Sequence, residues 1–164
     1  MKQLLVIRHA KSSWENTCLK DFDRPLNKRG ERDAPYMAQQ VLNRGIKIDA
    51  FVSSPAIRTL ETCKYFMQAF REDTESIIVA PSMYQATDIG FLKTVCGFDD
   101  RHNTVALFGH NTGLTDFVND LTTVRVDNVP TCGIYALKMA IDRWKDFETG
   151  EKKFWFFDYP KLHL

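Results

Sequence analysis

The sequence lacks long apolar runs and lacks an excess of either charge. Its first apolar run covers residues 4–7 and ends at Arg8, which is too short for a signal peptide or for a membrane span of about 20 residues. Twenty-two basic and 21 acidic residues give a formal charge of +1, and no basic stripe is evident. We therefore expect a soluble cytoplasmic protein with neither a nucleic-acid nor a membrane partner.

The four cysteines form no CxxC pair, and no histidines stand at zinc-finger spacing. This pattern excludes a disulfide framework and a cysteine-based metal site. We expect no metal and no cofactor, and we expect the cysteines to be small buried side chains. They are Cys18, Cys63, Cys96 and Cys132.

Short apolar runs alternate with longer amphipathic stretches, which predicts an α/β fold with a mostly parallel sheet. The predicted strands cover residues 4–7, 49–53, 77–80, 104–108, 133–139 and 152–157. The predicted helices begin at Lys28, Pro55, Ile89 and Thr112. The last two strands suggest a hairpin-like pair with an antiparallel edge strand. With 164 residues and no linker, residues 1–164 are expected to form a single domain, a three-layer sandwich around about six strands.

Arginines and histidines follow three of the predicted strands. Arg8 and His9 end the first strand, Arg58 lies one turn into the helix after the second, and His110 follows the fourth strand directly. Ligands of open α/β sheets bind outside the carboxyl ends of the strands. These four residues are therefore expected to meet at one rim.

Such a group suits phosphoryl transfer. Arginine forks match the phosphoryl oxygens with paired hydrogen bonds, and helix N-termini near Ser54 and Asn111 would add N–H donors. A neutral histidine can attack phosphorus and be released again, and a second, protonated histidine can stabilise the developing charge.

Four motifs in family order give a resemblance to the histidine phosphatase superfamily. They are VIRHAKSSW at residues 6–14, DFDRPLNKRG at 21–30, SSPAIRT at 53–59 and FGHN at 108–111. Alanine after Arg-His, followed by Lys-Ser-Ser-Trp, resembles the SixA branch of phosphohistidine phosphatases. The resemblance implies a phosphoglycerate mutase-like fold.

The same resemblance implies roles for individual residues. His9 would be the nucleophile that becomes phosphorylated, Arg8 and Arg58 would hold the phosphoryl oxygens, and His110 would contact the same group. Ser12 would lie near the bound phosphate without a catalytic role. The catalytic set is thus Arg8, His9, Arg58 and His110.

Two family acids are missing from the sequence. Mutase-like members carry a glutamate where this chain has Gln85, and another branch carries an aspartate where this chain has Asn111. An alkoxide leaving group needs a proton in the transition state, whereas a phosphohistidine leaves through a nitrogen that solvent protonates more readily. The absence of both family acids favours a phosphoramidate substrate. A carboxyl from Asp21, Asp23 or Asp88 remains an alternative acid, and Asp21, Asp23 and Arg24 could instead form a structural ion pair.

Three functions remain open on the sequence. The first is a phosphatase for phosphohistidine on a histidine phosphotransfer domain or a phosphocarrier protein, which the absence of a long insertion and hence an open cleft favours. The second is a phosphatase for small phosphorylated metabolites, and the third is a phosphate-binding adaptor without turnover. Nothing demands an oligomer, so we expect a monomer.

Overall fold

Six strands form one sheet, with four helices packed on it. The computed structural model describes residues 1–164. The strands are β1 (Lys2–Arg8), β2 (Ala50–Ser53), β3 (Ile78–Val79), β4 (Thr104–Gly109), β5 (Ile134–Met139) and β6 (Lys152–Asp158). The helices are α1 (Lys28–Asn43), α2 (Ile57–Ala69), α3 (Asp88–Cys96) and α4 (Gly113–Asn119).

The strand order is β3-β2-β4-β1-β5-β6. The first four strands are parallel, β5 runs antiparallel to β1, and β6 runs antiparallel to β5. The mostly parallel sheet and its closing antiparallel pair are confirmed. The register places Arg8 of β1 beside Gly109 of β4, so the segments that follow both strands begin side by side.

The sheet divides two apolar cores, which makes the fold the predicted three-layer α/β/α sandwich. Leu5 and Ile7 point to the core formed with α1 and α2. Leu4 and Val6 point to the core formed with α3 and α4. Alternate residues of a strand face opposite sides, and burial on both sides explains why β1 is continuously apolar.

Three local expectations are wrong. The strand predicted over 77–80 is only the exposed pair Ile78–Val79, since it lies at the sheet edge and pairs with β2 alone. Helix α2 begins at Ile57 rather than at Pro55, because the Ser54 hydroxyl bonds Ala56 N and His110 instead of capping a helix. All four cysteines are free, but only Cys63 and Cys132 are buried, whereas Cys96 is half-buried and Cys18 is exposed in the loop before α1.

Helix α1 is held directly against the loop that follows β1. The Asn27 side chain accepts a hydrogen bond from Gly30 N over 2.9 Å and caps the helix, which begins at Lys28 as predicted. A Cβ atom on Gly30 would overlap the carbonyl oxygen of Lys11, so only glycine permits this approach. The first turns of α1 therefore lie beside the segment that carries His9.

None of the helices combines the length and apolar composition that a bilayer crossing requires.

Candidate active site

The four predicted catalytic residues meet at the carboxyl edge of the sheet. Arg8 ends β1 and His9 follows it, while His110 follows β4 and Arg58 lies in the first turn of α2. The rings of His9 and His110 are 5.4 Å apart between centroids. The side chains of His9, Arg58 and His110 are all buried, so the protein fixes their geometry before any ligand arrives.

The hydrogen bonds of His9 identify its tautomer. Nδ1 lies 2.8 Å from the carbonyl oxygen of Ala10, and a carbonyl can only accept, so Nδ1 carries the proton. Nε2 then keeps a lone pair, toward which Nε of Arg58 points over 3.4 Å. This is the nitrogen that a nucleophilic histidine would use.

Burial makes His9 a neutral imidazole. Burial, together with the positive charge of Arg58, lowers the pKa of His9 to about 3, and the hydrogen bond to Ala10 only partly opposes this. Nε2 is therefore unprotonated across the neutral pH range, and its lone pair accepts only the long hydrogen bond from Arg58.

His110 is held on both ring nitrogens. Nη2 of Arg58 lies 3.3 Å from Nδ1 and can only donate, so the proton of His110 is on Nε2, which lies 2.6 Å from the Ser54 hydroxyl. Burial and the charge of Arg58 lower the pKa of His110 to about 4. His110 is thus a neutral imidazole in the free protein, where the nearby Asp21 carboxylate only partly opposes the effect of burial and Arg58.

Arg58 is fixed by Asp21 as well as by the histidines. Nη1 donates to the carbonyl oxygen of Asp21 over 2.7 Å, and Nη2 donates to its carboxylate over 3.0 Å. Tyr84 also donates to this carboxylate, over 2.7 Å. Burial acts against ionisation, but the hydrogen bonds from Tyr84 and Arg58 hold the pKa of Asp21 below its usual range. Asp21 is therefore a carboxylate that orients Arg58.

Arg8 has one fixed bond and one free donor. Nη1 donates to the carbonyl oxygen of Val129 over 3.0 Å, while the buried Nε has no partner. Burial and the charge of Arg58 lower the pKa of Arg8, yet an arginine keeps its charge at neutral pH. Arg8 brings an uncompensated positive charge to the site.

A cavity of about 250 Å³ opens over His9. Ser12 lies in its wall, and its hydroxyl accepts a hydrogen bond from Arg24. Arg24 also pairs with Asp21 at 3.0 Å and stacks on the Trp14 ring at 3.4 Å, so the suggested ion pair between Asp21 and Arg24 exists. The cavity is lined by Arg8, His9, Lys11, Ser12, Trp14, Arg24, Arg58 and Thr131. His110 is not in this lining.

The alternative acids are mostly far from the reacting group. Gln85 is exposed, and Asn111 is tied to Asn128 and to the carbonyl oxygen of Val129. Asp88 lines another cavity, between α3 and α4. Asp23 is exposed, so only Asp21 reaches the site.

Three contacts at the site were not predicted. Ser54 bonds His110, Thr59 lies 3.3 Å from the same ring nitrogen, and Tyr84 packs edge-on against the ring at 5.7 Å. Ser54 and Thr59 lie within a recognised motif, but no local pattern reveals which partner their hydroxyls take. Gly109 makes room for Phe91, whose Cζ would lie 2.8 Å from an added Cβ.

Comparison with known proteins agrees with this geometry. The model of the histidine phosphatase superfamily (branch 1) matches residues 4–80. A curated Arabidopsis thaliana protein, described as uncharacterised and chloroplastic, is 32% identical over 156 residues, which cover 88% of this chain and 70% of that protein. This chain belongs to the histidine phosphatase superfamily.

Solved structures match the fold over nearly the whole chain. A protein from Agrobacterium tumefaciens proposed to be a phosphohistidine phosphatase SixA is 24% identical, with a TM-score of 0.82 and coverage of 97% and 98% of the two chains. The protein histidine phosphatase SixA complexed with tungstate is 19% identical, with a TM-score of 0.78 and coverage of 98% of each chain. These likenesses establish the phosphoglycerate mutase-like α/β fold.

Proposed function

We propose that this protein is a phosphatase that removes phosphate from phosphohistidine on another protein, through a phosphorylated His9. The fold likeness to SixA proteins supports the reaction class. The neutral, buried His9 with its lone pair on Nε2 supports the nucleophile. Inorganic phosphate is the product.

The reaction takes two displacements at phosphorus. The Nε2 lone pair of His9 attacks phosphorus, the bond from phosphorus to the substrate nitrogen breaks, and that leaving imidazole takes a proton from solvent. Water then attacks the phosphorus on His9, gives up a proton, and releases phosphate and the free imidazole. Arg8 and Arg58 hold the phosphoryl oxygens in both steps. The buried Nε–H of Arg8 lacks an acceptor, and a phosphoryl oxygen would supply one.

Bound phosphate changes the charge balance around His110. In the free protein the positive charge of Arg58 disfavours protonation of His110. A phosphoryl dianion on Arg58 offsets that charge and raises the pKa of the ring. His110 can then donate to the transferring group, which is the role that the family resemblance implies.

One observation carries the choice of substrate: the only carboxyl group at the site is ionised. Asp21 is held as a carboxylate by Tyr84 and Arg58 and has no proton to give to an alkoxide. General acid catalysis contributes roughly 10²–10⁴-fold to such steps. The hydrolysis rate of a substrate with a nitrogen leaving group falls less when general acid catalysis is absent.

Matched peptides test this choice. One peptide carries a single phosphohistidine, and the other carries phosphoserine at the same position. We expect kcat/KM for the phosphohistidine peptide to be higher by about 10²-fold, the lower bound for acid catalysis, with or without chelator. Equal rates on both peptides would reject the phosphohistidine assignment. Binding of both without turnover would favour the adaptor function.

Hydrolysis of small phosphomonoesters stays a second candidate because Asp21 reaches the site. If Asp21 only orients Arg58, Asp21→Asn should slow phosphohistidine and p-nitrophenyl phosphate hydrolysis equally, by about tenfold or less. If Asp21 is the acid, the ester reaction alone should fall by 10²-fold or more and lose its alkaline pH limb. Asp23→Asn, in the same turn but exposed, is the control and should change neither rate.

The partner, the compartment and the oligomeric state belong to the same proposal. An open cleft suits a histidine phosphotransfer domain or a phosphocarrier protein, and a monomer in the cytoplasm would meet both. The Arabidopsis relative is described as chloroplastic. Gel filtration at micromolar concentration and fractionation of the source cells would check the last two expectations.

A further inference from the structure

A second cavity, of about 410 Å³, adjoins the one over His9. Arg8, Lys11 and Thr131 line both cavities, so the two lie side by side along these residues. The second cavity, called here the basic groove, is lined by the first turns of α1, residues 128–131 and the C-terminal segment 159–164. A ligand could therefore extend from His9 into the basic groove without leaving the surface.

The basic groove concentrates positive charge that the whole chain lacks. Five of its lining residues are cationic and one is acidic, in a protein whose formal net charge is +1. The remaining surface therefore carries an excess of negative charge. The charged lining residues are Arg8, Lys11, Arg29, Arg32, Lys161 and Asp33.

The single acidic side chain of the lining does not neutralise these cations. Asp33 is shared between Arg32, at 2.9 Å, and Arg29, at 3.9 Å. Side-chain exposures of 47% for Arg29 and 65% for Arg32 leave both able to bind a further anion. Lys11 and Lys161 form no ion pair. At least two full charges in the basic groove are thus unpaired.

The wall that carries Lys161 is fastened to the fold. Nε2 of His163 lies 2.6 Å from the Asp158 carboxylate at the end of β6. The ring of His163 also packs edge-on against Tyr36 of α1 at 5.7 Å. Lys161 is therefore presented by an anchored segment beside α1.

We propose that the basic groove binds an acidic segment of the phosphoprotein substrate, next to the phosphorylated histidine. This partner assignment rests on the proposed function. Cations spread along three walls fit the repeated carboxylates of a peptide better than one compact second phosphate group. Attraction of this kind acts mainly on association rate and specificity, and salt screens it.

Binding and turnover are measured with two peptides that differ only in charge. Each carries one phosphohistidine, flanked on both sides by aspartate and glutamate in one peptide and by asparagine and glutamine in the other. For binding, both are made with a non-hydrolysable phosphohistidine analogue and titrated into His9→Ala by fluorescence polarisation. We expect the acidic peptide to bind about tenfold more tightly, and 0.5 M salt to remove the difference.

A charge-matched pair of double variants locates the effect. R29Q/K161Q removes two cations from the basic groove and should reduce the preference for the acidic peptide to about twofold or less. K47Q/R71Q removes one lysine and one arginine at the opposite edge of the sheet, both exposed, and should leave the preference intact. K47Q/R71Q should also hydrolyse acetyl phosphate at the wild-type rate.

Equal binding of the two peptides by wild-type protein would overturn the assignment, and so would a preference that survives R29Q/K161Q. Stronger competition by a short RNA than by the acidic peptide would assign the basic groove to nucleic acid instead. If the preference holds in the binding assay but neither phosphohistidine peptide is hydrolysed, the groove assignment stands and the proposed phosphatase function fails.

Discussion

His9→Ala should lower turnover of a phosphohistidine peptide by a factor on the order of 10⁴ or more, because the variant lacks the atom that accepts the phosphoryl group. The ring nitrogen Nε2 of His9 carries a free lone pair at neutral pH, and Nδ1 is occupied by the Ala10 carbonyl. No other imidazole lines the cavity over His9, since His110 is not part of that lining. Single-turnover kinetics with the phosphohistidine peptide measures the loss.

A trapped intermediate distinguishes loss of the nucleophile from loss of structure. Wild-type protein mixed with ³²P-labelled substrate and quenched in alkali, where phosphohistidine survives, should carry label on His9. The His9→Ala protein should carry none, and added imidazole should restore part of the turnover by occupying the vacated space. Label that persists in His9→Ala, or that maps to another residue, would contradict the assignment.

His102→Ala is the matched control for this experiment. His102 precedes β4 and so lies at the opposite edge of the sheet, and its ring makes no hydrogen bond. The substitution removes the same number of atoms as His9→Ala. It should leave both turnover and labelling at the wild-type level.

The sequence predicts where the reacting groups lie because fold rules place them. Parallel strands present their carboxyl ends at one edge, so Arg8 and His9 after one buried strand and His110 after another had to be neighbours. The alternation of apolar and amphipathic segments predicts the three layers for the same reason. These inferences need only the order of the elements and no knowledge of side-chain conformation.

The contacts that tune the site could not be predicted in this way. Asp21 lies in an irregular loop without periodicity, so nothing local indicates that it folds over Arg58. Ser54 precedes a helix, and its position suggests a helix cap. Its hydroxyl instead hydrogen-bonds His110, which lies 56 residues further along the chain. The basic groove joins Arg29 to Lys161, and a net charge near zero conceals this clustering.

Arg58→Ala should reduce kcat by about 10²–10³-fold, the usual cost of removing one preorganised donor to developing charge. Arg58 touches His9, His110 and Asp21, so the variant loses both the phosphoryl clamp and its orientation. Arg58→Lys keeps the charge but not the fork, and it should recover only part of the loss. Steady-state kinetics on the phosphohistidine peptide compares the three proteins.

The same variant should also move two pKa values in a direction that a merely structural role would not. Arg58 lowers the pKa of both His9 and His110, so its removal should raise both from about 3 and about 4. NMR titration of the histidine C2 protons measures this without any turnover. The sign matters because a raised pKa moves protonation of His9 toward neutral pH, where it would remove the nucleophile.

Arg24→Ala separates the charge effect from the loss of an Asp21 partner. Arg24 pairs with the same carboxylate at 3.0 Å but makes no hydrogen bond to either histidine. Its removal should leave both histidine pKa values within measurement error of wild type. If Arg24→Ala shifts them as far as Arg58→Ala does, the shifts follow from movement of the loop that carries Asp21 rather than from loss of the Arg58 charge. The guanidinium of Arg58 would then act on bound phosphate alone.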